Sequence, residues 1–205
     1  LLSSNAMALQ YQVDDRAGKA SGGWNNWNND DSLNTALKDY DEYGTPKVEF
    51  LNVYYDLSTQ KLFKVEVVLD GNTRNAPDAL FINTNYTPNS QWDKWNYYIT
   101  DATAWNGGGT KYSISGFDSP IDYTLSTQSG TRTGNPDGIN LSNVTYTQSV
   151  FNVQYSSSNY TITYDFGAGL DLSGGFFVAF APWCANDVVG GGIAGLASAA
   201  YLIRE

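Results

Sequence analysis

The chain has 205 residues, with 11 Lys and Arg against 21 Asp and Glu, no His and a single Cys. That excludes Ser-His-Asp and Cys-His catalysis, imidazole metal sites and internal disulfides, and a net charge of −10 repels a nucleic-acid backbone rather than binding it. No apolar run reaches the roughly 20 residues that span a membrane, while 15% aromatic and only 16% charged residues suit a folded domain, not a disordered one.

The chain opens with Leu1-Leu2-Ser3-Ser4-Asn5-Ala6-Met7-Ala8. Its Ala6-x-Ala8 ending has the small-x-small pattern of a signal-peptidase site, so residues 1–8 read as a signal-peptide remnant and the protein as secreted. Residues 9–30 are an irregular opening segment, dense in turn formers around Trp24 and Trp27. Asp30-Asp31-Ser32 offers an N-cap to a short helix that closes before Gly44-Thr45-Pro46.

After Pro46 the hydrophobic period becomes 2. Val48 to Tyr55 and Leu62 to Leu69, joined by Asp56-Leu57-Ser58-Thr59-Gln60, predict an antiparallel hairpin. Further strands are predicted over 79–83, 94–99, 111–115, 121–126, 144–155 (with a break near Gln148), 160–166 and 176–181. Gly107-Gly108-Gly109 and residues 129–138 read as loops. Many short strands with Gly, Asn and Asp turns predict an all-β, antiparallel sandwich of jelly-roll type, as one domain over residues 9–189.

The last residues change character. Gly190-Gly191-Gly192-Ile193-Ala194-Gly195 fits G-x-G-x-x-G, the pattern that lets backbone amides approach a pyrophosphate. The strand before it would span only residues 187–189, and the run stands alone in a β-rich chain, so the βαβ context is missing. Residues 190–205 therefore read as a Gly-rich apolar tail ending in a short helix.

Three groups of residues carry chemical possibilities. Asp14-Asp15, Asn28-Asn29-Asp30-Asp31, Asp39-Tyr40-Asp41-Glu42 and Asn135-Pro136-Asp137-Gly138 cluster hard oxygen ligands of the kind calcium takes. Asp30, Asp31 and Asp137 are the candidate ligands; none has EF-hand spacing, and solvated loop acids are the plainer reading. Trp24, Trp27 and Trp92, with Asn28 and Asp30 beside them, form a candidate sugar site. There a ring would stack on the C–H face of a sugar while amide and carboxylate take its hydroxyls. Trp95 and Tyr97, at strand spacing, read as core. For catalysis only carboxylates, Tyr, Lys, Ser and Thr remain. Glu49 and Glu66 lie on predicted strands, where a facing pair would suit a glycosidase, but their alternating pattern marks solvent-face residues. Cys184, with no His to activate it, reads as a buried structural thiol.

Two segments resemble bacterial surface proteins of the PEP-CTERM, exosortase-sorted kind. One is Ala79-Leu80-Phe81-Ile82-Asn83-Thr84 followed by Trp92-Asp93-Lys94-Trp95-Asn96-Tyr97-Tyr98-Ile99. The other is Phe176 to Val189, with its Cys184-Ala185-Asn186-Asp187 block. The resemblance implies a secreted β-sandwich ectodomain on the envelope or in the extracellular matrix, with no established enzymatic activity. In those proteins a Pro-Glu-Pro signal follows the block; here the Gly-rich run with Arg204 follows it.

The expectation is a non-enzymatic secreted cell-surface or matrix protein. The alternative is a carbohydrate-binding module, calcium-assisted or not. Extracellular polysaccharide or matrix proteins are the expected partners.

Overall fold

A computed structural model describes residues 9–14, 47–71, 74, 77–87, 90, 93–101, 107–118, 121–127, 136–182 and 189–194. The predicted N-terminal helix, the signal-peptide remnant and residues 195–205 lie outside them. The strands are β1 (Leu9–Asp14), β2 (Val48–Asp56), β3 (Lys61–Leu69), β4 (Ala79–Asn83), β5 (Tyr97–Asp101) and β6 (Gly107–Ser115). They continue with β7 (Tyr123–Leu125), β8 (Pro136–Ile139), β9 (Thr145–Ser156), β10 (Thr161–Asp171), β11 (Phe176–Ala181) and β12 (Val189–Ile193). No helix occurs among the described residues, so none there is long and apolar enough to cross a membrane.

The all-β antiparallel expectation holds. In place of the two facing sheets of a sandwich, ten strands join one sheet in the order β1-β2-β3-β10-β9-β6-β5-β4-β11-β12. The sheet curls until it is nearly a closed barrel. At the seam Tyr11 of β1 meets Phe176 of β11 edge-on, with ring centroids 5.8 Å apart. The Tyr11 phenol also hydrogen-bonds the backbone of Gly192 on β12. Side chains thus bring the edges together, which removes much of the exposed-edge liability of an open sheet.

Alternation of apolar residues builds the interior. Leu51, Val53 and Tyr55, Val65 and Val67, Leu80 and Ile82, Val153, Ile162, Tyr164, Val178 and Phe180 form one buried cluster inside the curl. Each such side chain contributes roughly 1.5–3 kcal/mol on leaving water. The opposite faces of β4, β5, β6 and β11 are apolar too. There Phe81, Tyr98, Ile114, Phe177 and Ala179 pack with Trp95, Phe117, Tyr123 and Ile139. The small β7–β8 ribbon supplies Tyr123 and Ile139 and so covers this outer face.

The Gly-rich run expected to begin a tail at residue 190 is instead strand β12, paired with β11 from Phe176↔Ile193 to Phe180↔Val189. Its glycines have a packing reason: a Cβ on Gly191 would stand 2.6 Å from Val13 Cγ2 and 2.9 Å from the Tyr11 hydroxyl. A strand with side chains there would push β1 away.

Two hairpins share one turn geometry. Leu57–Gln60 links β2 to β3 and Ser157–Tyr160 links β9 to β10, closing at Asp56↔Lys61 and Ser156↔Thr161. The last loop residue in each is left-handed, with φ of 50° at Gln60 and 53° at Tyr160. The Asp56 carboxylate accepts from the Ser58 N–H at 2.7 Å and its hydroxyl at 2.8 Å, fixing the first turn. A non-glycine residue in that conformation costs roughly 1–2 kcal/mol, part of which glycine returns as unfolded-chain entropy. Gln60→Gly is therefore expected to stabilise the protein by about 0.5–1 kcal/mol, a rise of about 1–4 °C in Tm, whereas Gln60→Val should lower it. A scanning calorimetry comparison in which glycine lowers Tm would show that Gln60 holds more than its backbone.

Between Asp165 and Leu170 the β10 ladder shifts register against β3, and Gly167 and Gly169 take φ of 57° and 84°. Through this bulge β10 stays with β3 but parts from β9, which it pairs only from Val153 to Ser156.

Candidate functional site

Strand register builds an aromatic row across the outer face of the barrel. Phe81 of β4 lies opposite Tyr98 of β5, and Tyr98 opposite Tyr112 of β6. The rings stack at 5.6 Å in both steps. Tyr146 of β9 ends the row, edge-on to Tyr112 at 5.5 Å. At the other end Trp95 lies 5.6 Å from Phe81, and its indole N–H donates to the Tyr123 hydroxyl at 2.7 Å. The row runs from core to water: Trp95 and Phe81 are buried, Tyr112 is half-buried and Tyr146 is 42% exposed.

Around the exposed end the neighbours are uncharged. Thr110 pairs with Val150, and Tyr112 pairs with Gln148, so these four point outward beside Tyr146. Tyr98 beneath them is held neutral. Burial, chiefly, pushes its phenol up to about 12; a Thr100 hydrogen bond lowers it, while the Tyr112 phenolate formed only at such high pH and the Asp137 carboxylate raise it. The result is a rigid aromatic ledge with an amide and a hydroxyl beside it.

A second constellation lies inside the barrel. Arg74, Asp78 and Asp101 are almost wholly buried. Arg74 Nε bonds Asp78 Oδ2 at 3.0 Å, and its Nη2 meets Asp101 Oδ2. The Asp78 N–H donates to Asp101 Oδ1 at 2.7 Å. The guanidinium lies 5.4 Å from the Tyr155 ring centre. Burial, with the Asp78 charge adding to it and Arg74 opposing it, holds the Tyr164 phenol far above its ordinary range. Both carboxylates are therefore engaged by one cation and closed off from solvent, which suits a structural tie between Arg74 and the adjoining ends of β4 and β5.

Of the residues singled out from sequence, Trp24, Trp27, Trp92, Asn28, Asp30, Asp31 and Cys184 lie outside the described residues. Asp137 is on β8, half-buried, within electrostatic reach of Tyr98. No three acidic residues among those described come together as a metal site. Trp95 is core but precedes β5 and packs in the outer cluster, while Tyr97, expected to share its face, is half-buried against the interior cluster. Glu49 and Glu66 do not face each other: Glu66 pairs with Asn52, and the register shifts at Glu49. Glu66 instead accepts from the Tyr54 hydroxyl and from Lys64, each at 2.6 Å. Sequence reasoning passed over Tyr112 and Tyr146, which are far apart in the chain and become neighbours only through the β6–β9 register.

No protein-family model matches the chain, and comparison with curated proteins and with solved structures gave no significant match.

Proposed function

We propose that this chain is a secreted cell-surface or matrix protein that acts by binding, and that it binds a neutral extracellular polysaccharide on the Tyr112–Tyr146 ledge. The observation that supports this most is the exposed end of the aromatic row, set among uncharged hydrogen-bonding side chains. Aromatic faces stack on the apolar C–H faces of sugars, and Gln148 and Thr110 can exchange hydrogen bonds with hydroxyls. Rings already ordered by Tyr98 and Phe81 lose little freedom on binding. An acidic chain free of His suits neutral polymers better than nucleic acid or acidic glycans. The PEP-CTERM resemblance points to the same compartment.

Affinity electrophoresis of the full chain through polysaccharide gels, with calcium and with chelator, tests the reading. Retardation by one polymer should fall at least about tenfold, or about 1.4 kcal/mol, in Tyr146→Ala and survive in Tyr146→Phe. Loss in Trp24→Ala/Trp27→Ala with the tyrosines intact would move the site to the tryptophans. Loss in chelator would assign it a calcium ion. Unchanged mobility against every polymer would refute sugar binding for those tested.

A further inference from the structure

We infer that β9 is an open edge that pairs with the β9 of a second copy of this chain, in antiparallel register about a two-fold axis at Gln148. The six residues from Thr145 to Val150 are all exposed, whichever face they occupy, and Val150 is 93% exposed. One edge of this stretch is paired with β6, from Thr110↔Val150 to Ser115↔Thr145. The other edge has no partner among the described residues, because β10 pairs with β9 only from Val153 onward and then turns away at its glycine bulge.

Such an edge is normally blocked by Lys, Pro or a bulge. Here Thr145-Tyr146-Thr147-Gln148-Ser149-Val150-Phe151-Asn152 contains none of these and no charge. On β6 the facing residues from Thr110 to Ser115 carry a single charge, Lys111. In a chain of net charge −10, this ribbon is where two copies can approach with little repulsion.

The segment is also complementary to itself. With Gln148 opposite Gln148 of the second copy, Tyr146 faces Val150 twice on the outer side, and Thr147 faces Ser149 twice on the inner side. Aromatic with β-branched, and hydroxyl with hydroxyl, are favourable cross-strand pairs. The pairing consumes both edges, so it closes as a dimer and does not propagate. It stands whether or not the ledge binds sugar.

Sedimentation equilibrium of the full chain tests this. A pairing this short falls below the size of a standard interface, so a dimer half-formed at roughly 100 μM is expected. It should tighten when about 0.5 M salt screens the acidic surfaces. Gln148→Lys sets two ammonium groups face to face and should leave only monomer, with an unchanged thermal midpoint. In a Cys184→Ser background, Gln148→Cys should oxidise to a covalent dimer and Tyr146→Cys should not. Monomer alone up to about 1 mM in that salt, a dimer that Gln148→Lys leaves intact, or equal cross-linking at both positions would overturn the inference.

Discussion

Arg74→Met is expected to cost about 3–5 kcal/mol of folding stability, a large share of the roughly 5–15 kcal/mol that holds a typical domain together. Arg74 is the cation between Asp78 and Asp101, and all three side chains are at most 1% exposed. Methionine fills much of the same volume but leaves two carboxylates in the barrel interior with no counter-charge, and burying an uncompensated charge is the expensive case. Asp101→Asn is a milder change. It keeps an oxygen to accept the Asp78 N–H and leaves Arg74 its pairing with Asp78, so a loss of about 1–3 kcal/mol is expected. Urea titration of the three proteins measures the order. If Arg74→Met cost less than about 1 kcal/mol, water would have to be reaching the carboxylates, and the tie at the ends of β4 and β5 would be of little weight.

Gly192→Ala should be nearly as damaging, at about 3 kcal/mol or more, although it adds one methyl group. Gly192 lies opposite Phe177 on β11. A Cβ there would overlap the Phe176 carbonyl oxygen and come within 2.7 Å of Phe177 Cα. These are backbone atoms that cannot rotate aside, so β12 must leave the ladder and take the seam contact at Tyr11 with it. Gly71→Ala is the control, since nothing lies within 4 Å of the Cβ it would add, and a change within about 0.5 kcal/mol is expected. Hydrogen exchange read strand by strand would find β12 amides unprotected in Gly192→Ala and β2–β3 amides still slow. Wild-type protection of β12 in that variant would show that the two strands can shift to admit the methyl.

Period-2 alternation located the β2–β3 hairpin and its Asp56–Gln60 turn, and apolar runs bounded by turn residues located β4 and β11 over the residues they occupy. β1 alternates strictly, Leu9-Gln10-Tyr11-Gln12-Val13-Asp14, and that period-2 signal was passed over because turn formers crowd the stretch after it. The other strands that escaped lack such a signal. β8 hides in Pro136-Asp137-Gly138-Ile139. β12 and the start of β6 are runs of glycine, a poor strand former that is used here because neighbours come close. The break expected near Gln148 is absent, since β9 runs unbroken from Thr145 to Ser156. Closure of one curled sheet rather than two facing ones depends on strand order, and β3 beside β10 or β4 beside β11 leaves no mark in local sequence. The Tyr112–Tyr146 pair was illegible for the same reason, and nothing in the local sequence marks Arg74 as buried.

The seam joins the first described strand to the last, and β4 pairs with β11 through contacts such as Leu80↔Phe180. The junctions β3–β10, β6–β9 and β4–β11 thus join partners that are remote in the chain. Loop-closure entropy must be met before such contacts form, which places this topology among high-contact-order folders that take milliseconds to seconds. Hairpins such as β2–β3 and β9–β10 can form early, each closing over four loop residues. A chain emerging from N to C terminus cannot complete this barrel until its last strand is free, so partly emerged forms must be kept from aggregating until then.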